Sequence, residues 1–363
     1  MSAPQSSERR DEGRGARRSL AGLWLVTALA AAGMIVIAVF WPPLAAAGWL
    51  IGFVLLSAIP LGSLYLLMIH GVTGGRWGVS LRPVWQPAAL TIPLLGLLFI
   101  PVLVAIPALY SWYSGGSGPV SSSVAAYYLN WPLYVVRAAI AFAGWSVLAI
   151  VLPRLTGGIA TFLSGLGLVF TAVMMTVLPV DWILSAEPVF ISTSFGASIV
   201  IMQIFAALAY AALVAPASLE ATARRDLGML MLTAVLGLVY IDFIALLVLW
   251  YGDLPDKIGW LLTRSHYPWA AIMMAAFTLG AVLPMVILLS PRARASAAAL
   301  RLAGISIFIG LGLYSVWLLA PDYGLWAFGT AALSALALAC GFAAIIGARL
   351  PTILFVRART AHE

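Results

Sequence analysis

Acidic and aromatic side chains gather at the centre of an otherwise apolar chain, between two long hydrophobic segments. Asp181, Trp182 and Glu187 stand together there, and Pro188 precedes Ser192, which marks the start of the next helix. Two carboxylates in such a place could line the mouth of a ligand or proton site. They could equally form the polar face of an amphipathic helix at a membrane interface. The sequence supports both interpretations.

Two charges, Arg137 and Asp242, fall inside predicted membrane segments. Each costs roughly 2.5–3.5 kcal/mol at a helix centre, so such residues usually pair or serve a function. At 1.5 Å per residue they lie about 9 Å and about 12 Å from the same end of their helices. Similar depth predicts that they pair with each other, either as a structural ion pair or as part of a polar pocket or proton path.

His70 stands before a glycine-rich turn that runs from Gly71 to Gly75. Its imidazole could titrate near neutral pH, or it could simply end its helix at the interface. The glycines make no nucleotide-binding loop, because no Gly-Lys-Ser/Thr sequence follows them.

Composition sets the class of protein. Of the 363 residues, 63% are hydrophobic and 9% are charged, far below the roughly 25% of soluble domains. The chain is therefore predicted to be an all-α polytopic membrane protein. The single cysteine, Cys340, excludes an intramolecular disulfide and a cysteine-ligated cluster, and the three histidines, His70, His266 and His362, lie at or beyond the ends of the apolar runs. We therefore expect no haem, iron–sulfur cluster or redox metal in this chain.

A hydropathy window predicts ten transmembrane spans in one domain, residues 19–350. They are spans 1 to 10 at 20–41, 48–70, 88–109, 131–152, 158–178, 191–214, 228–250, 267–289, 301–320 and 326–347. Residues 1–18 are predicted to be a disordered basic tail, and 351–363 a second tail.

The positions of the basic residues predict the orientation. With the N-terminus in the cytoplasm, only Arg137, Lys257 and Arg264 of the 19 Lys and Arg residues fall on the outer side. Both termini are then cytoplasmic. The net charge of +7 is a topological signal and gives no reason to invoke nucleic acid.

A weak internal repeat suggests two four-helix bundles. Span 3 and span 7 both end in aromatic residues, Trp112-Tyr113 and Trp250-Tyr251, and the next span starts at Trp131-Pro132 or Pro268-Trp269. Spans 2–5 (48–178) and 6–9 (191–320) would be the bundles, joined by a linker at 179–190. Interfacial Trp and Tyr also explain the pattern without a repeat.

Three stretches resemble one family. The segment Asp181-Trp182-x-x-Ser185-x-Glu187-Pro188, continuing to Phe195-Gly196, is similar to a signature of ActF, a membrane subunit of alternative complex III. This family belongs with the NrfD and polysulfide-reductase membrane subunits. The turn from His70 to Trp77, and the connection from Trp250 to Arg264, resemble other segments of it. Together these cover roughly residues 48–290.

The resemblance implies a quinone-associated subunit of a quinol:cytochrome c-type oxidoreductase in the bacterial inner membrane, with a possible part in proton transfer. It also implies ten helices, no haem or cluster in this chain, and three kinds of partner: a sister membrane subunit, an iron–sulfur protein and multihaem cytochromes. His70, Arg137, Asp181, Trp182, Glu187 and Asp242 are then the candidates for a quinone site or proton path. The family does not usually carry a charge at Asp242.

Two other functions fit the same residues. A secondary transporter would also have ten helices, buried charges and a duplicated bundle, but needs helices broken around a polar site. Spans 2 and 3 contain Pro60, Pro93, Pro101 and Pro107, with few polar residues beside them. The chain could also be a structural anchor for redox proteins on the outer face.

Overall fold

A computed structural model describes residues 4–114, 124, 127–186, 192–216, 218–252 and 255–349, with side chains from residue 19 onward except at 114 and 255–257. Glu187 and the tail at 351–363 lie outside these residues. The described part contains helices, turns and no strands.

Ten helices are long and apolar enough to cross a membrane, as predicted. They are α1 Ser19–Phe40, α2 Pro42–Thr73, α3 Arg76–Val104, α4 Trp131–Arg154, α5 Gly157–Ala186, α6 Phe195–Val214, α7 Ala221–Tyr251, α8 Trp269–Leu289, α9 Ala297–Asp322 and α10 Ala327–Gly347. The backbone helix of α1 begins at Pro4, so residues 4–18 differ from the predicted disordered tail.

The third span is a series of helical segments. A regular helix over Arg76–Ala89 is followed by short helices over Ile92–Leu98, Ile100–Val104 and Ile106–Leu109. Each short helix has a proline in its first turn, where the missing N–H costs least. The span also starts earlier than the predicted residue 88. Pro60, in contrast, lies inside the continuous helix α2.

The centre of the molecule is α2, which packs against α3, α5, α6, α9 and α10. Small residues bring α2 and α10 together: the Ser334 hydroxyl donates to the Gly48 carbonyl at 2.5 Å, and the Thr330 hydroxyl donates to the Leu44 carbonyl at 3.1 Å. Such contacts matter because lipid supplies no hydrophobic drive for helices to associate, and close packing replaces it.

The other helices form two groups around α2. Contacts join α2 to α3 and α5, and α4 to α3 and α5; a second set joins α6 to α7 and α9, and α8 to α7 and α9. The groups meet where α2 and α5 pack against α6, while α1 packs against α2 and α10.

Gly62 is the glycine of α2 that faces α6, and a methyl group there would overlap the Gln203 carbonyl. Because the obstacle is backbone, a Gly62→Ala variant is expected to lose about 1–3 kcal/mol of stability. Thermal unfolding in detergent measures the loss. Gly165→Ala on α5, where a methyl group would meet no atom within 4 Å, is the matched control. Equal melting of the two variants would contradict the close α2–α6 contact.

Candidate functional site

Arg137 and Asp181 form a two-point ion pair between α4 and α5. Arg137 Nε lies 2.6 Å from Asp181 Oδ2, and Nη2 donates to Oδ1 at 3.0 Å. The Asp181 side chain is fully buried and that of Arg137 is 17% exposed. Arg137 Nη1 also donates to the Tyr128 carbonyl at 3.1 Å, and the guanidinium lies 4.4 Å from the Tyr128 ring centroid. Fork-shaped pairing of this kind fixes orientation as well as charge.

The predicted pair between Arg137 and Asp242 is therefore wrong. Depth along a helix does not say which helices are neighbours: α4 packs against α3 and α5, whereas α7 packs against α6 and α8. The short connection after Arg154 makes α4 and α5 antiparallel neighbours, so Asp181 in the last part of α5 lies beside the first part of α4, which holds Arg137. Asp181 is among the most buried polar side chains, so it does not lie on the solvated face of an interfacial helix, one of the two interpretations that the sequence allows.

Trp182 lies beside this pair in a cluster of aromatic rings. Its ring centroid is 4.8 Å from Phe99, 5.6 Å from Phe142 in a stacked arrangement, and 6.0 Å from Phe53. Its indole N–H is buried and has no hydrogen-bond partner within the described residues. A buried donor without a partner costs free energy and calls for an explanation.

Tyrosines connect the aromatic cluster to the ion pair. The Tyr110 hydroxyl lies 3.0 Å from the Tyr134 hydroxyl and donates to the Trp182 carbonyl at 3.0 Å. Burial raises the pKa of Tyr110 well above its ordinary value, and Tyr134 and the Asp181 charge raise it further. Trp112 stacks on Tyr110, and its buried indole N–H likewise finds no partner in the described part of the chain. The Tyr110 phenol is therefore a neutral hydrogen-bonding group at neutral pH.

A second ion pair, between Arg264 and Asp322, was not predicted. Arg264 Nη2 donates to the two Asp322 carboxylate oxygens at 2.9 and 3.1 Å and to the Leu318 carbonyl at 3.1 Å. The guanidinium lies 4.1 Å from the Trp260 ring centroid. This pair ties the short helix Pro255–Arg264 to the end of α9.

The two pairs occupy corresponding places in the two groups of helices. Each joins an arginine near the start of an even-numbered span to an aspartate near the end of the next span: Arg137 lies within α4 and Arg264 just before α8, while Asp181 lies in the last part of α5 and Asp322 ends α9. In each case an aromatic residue follows the aspartate and a proline precedes it by one or two positions: Pro179 and Asp181-Trp182, Pro321 and Asp322-Tyr323. That short repeat was the signal in the sequence that could have revealed both pairs.

A hydrogen bond of Tyr323 shows that the two pairs lie at the same end of the molecule, called here the Asp181 end. The Tyr323 hydroxyl donates to the Leu109 carbonyl at 2.8 Å, next to Tyr110. Burial, then Tyr110 and the Asp322 charge, raise the pKa of Tyr323 well above its ordinary value.

His70 lies in the last turn of α2, away from these pairs. One ring nitrogen is 3.0 Å from the Gly75 carbonyl, and the ring meets Trp77 edge to face at 5.4 Å. It lines a cavity of about 90 Å³ with Arg82 and Gln86, where α2 meets α3 and α4. This arrangement supports the interpretation of a residue that secures the end of a helix.

The predicted site residues thus fall into three places. Arg137, Asp181 and Trp182 come together, His70 lies in the last turn of α2, and Asp242 lies on α7 in the wall of another cavity. The largest cavity described, about 650 Å³, is apolar and is bounded by α1, α2 and the broken part of α3. Neither Arg137 nor Trp182 lines the cavities described for this part of the chain. No group of three or more metal-ligating side chains occurs within the described residues.

No protein-family model matches the chain, and a search of curated proteins finds no match.

Proposed function

We propose that this chain is a quinone-associated membrane subunit of a respiratory quinol:electron-acceptor (cytochrome c) oxidoreductase complex. It would lie in a bacterial inner membrane with both termini cytoplasmic and the Asp181 end on the outer side. The observation that supports this is the cluster at that end, where a buried ion pair and paired tyrosines lie among aromatic rings, together with two indole N–H groups that have no partner among the described residues.

These residues fit a quinone head group by their chemistry. A quinone offers a flat apolar ring and two carbonyl acceptors, and sites for such molecules combine aromatic walls with a few donors. Trp112 and Trp182 each have a buried indole N–H with no partner among the described residues. The Trp112 ring stacks on Tyr110, and the Trp182 ring lies against Phe99. When bound, the quinone would supply two-electron chemistry. This chain would bind and orient it and exclude water.

The proposal includes a duplicated architecture. Helices α2–α5 and α6–α9 would be two four-helix bundles of the same orientation, related by an axis along the membrane normal. The contacts within each set support this, as do the corresponding pairs Arg137–Asp181 and Arg264–Asp322. The partners would be a sister membrane subunit, an iron–sulfur protein and multihaem cytochromes on the outer face.

Purification of the tagged full chain from its native membranes tests the proposal. We expect it to bring with it subunits that carry haem and iron–sulfur clusters, and the complex to reduce a cytochrome with quinol as donor. Trp182→Phe should lower the quinol-dependent rate by removing an N–H donor while keeping a ring. Trp326→Phe, at a site 83% exposed, is the control. Purification of the chain alone, with solute uptake in liposomes, would contradict the proposal and favour a transporter.

A structural anchor is the second candidate, because the donors of Arg137 and the carboxylate of Asp181 satisfy each other and the described cavities do not reach them. An anchor would assemble with the same partners, so assembly does not separate the two functions. The Trp182→Phe variant does: an anchor keeps its quinol-dependent rate, whereas a quinone-binding subunit loses part of it.

A further inference from the structure

Asp242 is a carboxyl group within a membrane helix that takes no part in the ion pairs at the Asp181 end. It lies on α7 in the wall of a cavity of about 350 Å³ between α7, α8 and α9. Phe243, Phe277 and Leu311 are typical of the surrounding side chains, which are almost all apolar. Tyr314 lies eight residues before Asp322, which places this region about 12 Å from the end of α9.

Few polar groups face this carboxyl. The Ser198 hydroxyl of α6 lies near it, and Tyr314 of α9 is the other titratable residue in the cavity wall. No arginine, lysine or histidine is among the described residues that line the cavity. A carboxylate in hydrocarbon without a counter-charge is far costlier than the neutral acid, so this place favours a carboxyl that carries a proton.

The cavity is bordered by lipid-facing residues. Phe243 is 57% exposed, Leu246 43% and Met274 66%, and all three line it. On a membrane helix these exposed apolar side chains meet lipid, so small apolar molecules dissolved in the bilayer can reach the carboxyl from the side.

A π-helical segment shapes the opposite wall. α8 is wound as a π-helix over Thr278–Val282, and Gly280 there packs against Gly310 of α9. π-helical turns are rare and frequently mark functional sites. Gly280 and Gly310 both line the cavity.

We propose that Asp242 is a proton-binding site within the membrane, reached from the lipid phase through this cavity. The ligand is a proton and not a divalent cation, because a carboxyl and two hydroxyl groups are too few oxygen ligands for calcium or magnesium. The site is independent of the quinone proposal, since it lies in the other group of helices.

Dicyclohexylcarbodiimide, an apolar carbodiimide, provides the test in native membranes. It reacts with a neutral carboxyl by addition: the acid proton moves to a carbodiimide nitrogen, the carboxyl oxygen bonds to the central carbon, and nothing leaves. We expect peptide mass spectrometry to find the adduct at Asp242 and not at the paired Asp181. The rate should fall about tenfold per pH unit once the pH exceeds the point at which the carboxyl ionises.

Controls separate this site from an ordinary exposed acid. A water-soluble carbodiimide should modify Asp226, which is exposed near the start of α7, and leave Asp242 unmodified. Leu246→Trp keeps the carboxyl but narrows the cavity mouth, so it should slow the apolar reaction severalfold. If that variant does not fold, the comparison of reagents on the unmodified protein still decides. Absence of the apolar adduct at Asp242, or equal modification by the water-soluble reagent, would overturn the proposal.

Discussion

Replacement of Arg137 by alanine is expected to destabilise the protein by about 3–5 kcal/mol, the usual cost of breaking a buried ion pair. The variant leaves the Asp181 carboxylate buried without the two charged hydrogen bonds that Arg137 donates to it. The Tyr128 carbonyl loses a donor as well. Thermal unfolding in detergent, followed by size-exclusion chromatography, measures the loss.

A double-mutant cycle separates the pair from the side chains themselves. Asp181→Leu should be similarly destabilising, and the combination Arg137→Met with Asp181→Leu should recover much of the loss, since an apolar pair needs no charge compensation. Arg225→Ala, at an exposed position of α7, is the matched control for losing an arginine. If the two single losses simply add in the double variant, the residues are not coupled. A second cycle, which combines Asp242→Ala with Arg137→Ala, should show no such coupling.

Hydropathy was sufficient to predict the ten helices, because length and apolar composition are both local properties of the chain. It did not predict the shape of α3. Pro60 leaves α2 helical, and Pro83 and Pro87 leave the helix Arg76–Ala89 continuous, whereas Pro93, Pro101 and Pro107 each lie in the first turn of a new short helix. One proline can be accommodated where neighbouring helices enclose it, as they enclose Pro60. In the third span each of the three prolines stands at the start of a helical segment, where its missing N–H costs least, so the chain forms several short helices there.

The site was only partly predictable because depth in a membrane is a single coordinate. Similar depth predicts that Arg137 pairs with Asp242. The actual partner depends on which helices are adjacent and on which of their faces meet. The short connection between α4 and α5 makes them neighbours, and that favours Asp181 over any residue of α7. Asp242 was correctly singled out as a charge within a membrane helix, and the structure surrounds it with apolar residues.

The sequence predicts that Arg264 lies in a connection between spans on the outer side, but its side chain is buried. A residue in a connection between spans is expected to meet water, yet this side chain is fully buried. The helix Pro255–Arg264 folds back onto α9, where Leu318 and Asp322 accept hydrogen bonds from the guanidinium. Hydropathy cannot foresee this contact because it joins residues 58 positions apart.

Loss of Arg264 is therefore expected to be at least as damaging as loss of Arg137, since its side chain is 0% exposed against 17%. Arg264→Ala should destabilise by about 3–5 kcal/mol and release the helix Pro255–Arg264 from α9. Hydrogen exchange should rise in that helix and remain unchanged in α2. Arg264→Lys should rescue little, because an ammonium group cannot reach two carboxylate oxygens and the Leu318 carbonyl in the geometry of a guanidinium.

Arg301→Ala, at an exposed position of α9, is the control and should melt like the parent protein. A stable Arg264→Lys variant with normal exchange would show that a positive charge alone suffices, and the forked geometry would lose its importance. If Arg264→Ala and Arg137→Ala each raise hydrogen exchange only in their own group of helices, the two ion pairs stabilise two separate bundles in the same way. If either variant raises hydrogen exchange equally in both groups of helices, the duplicated architecture is not supported.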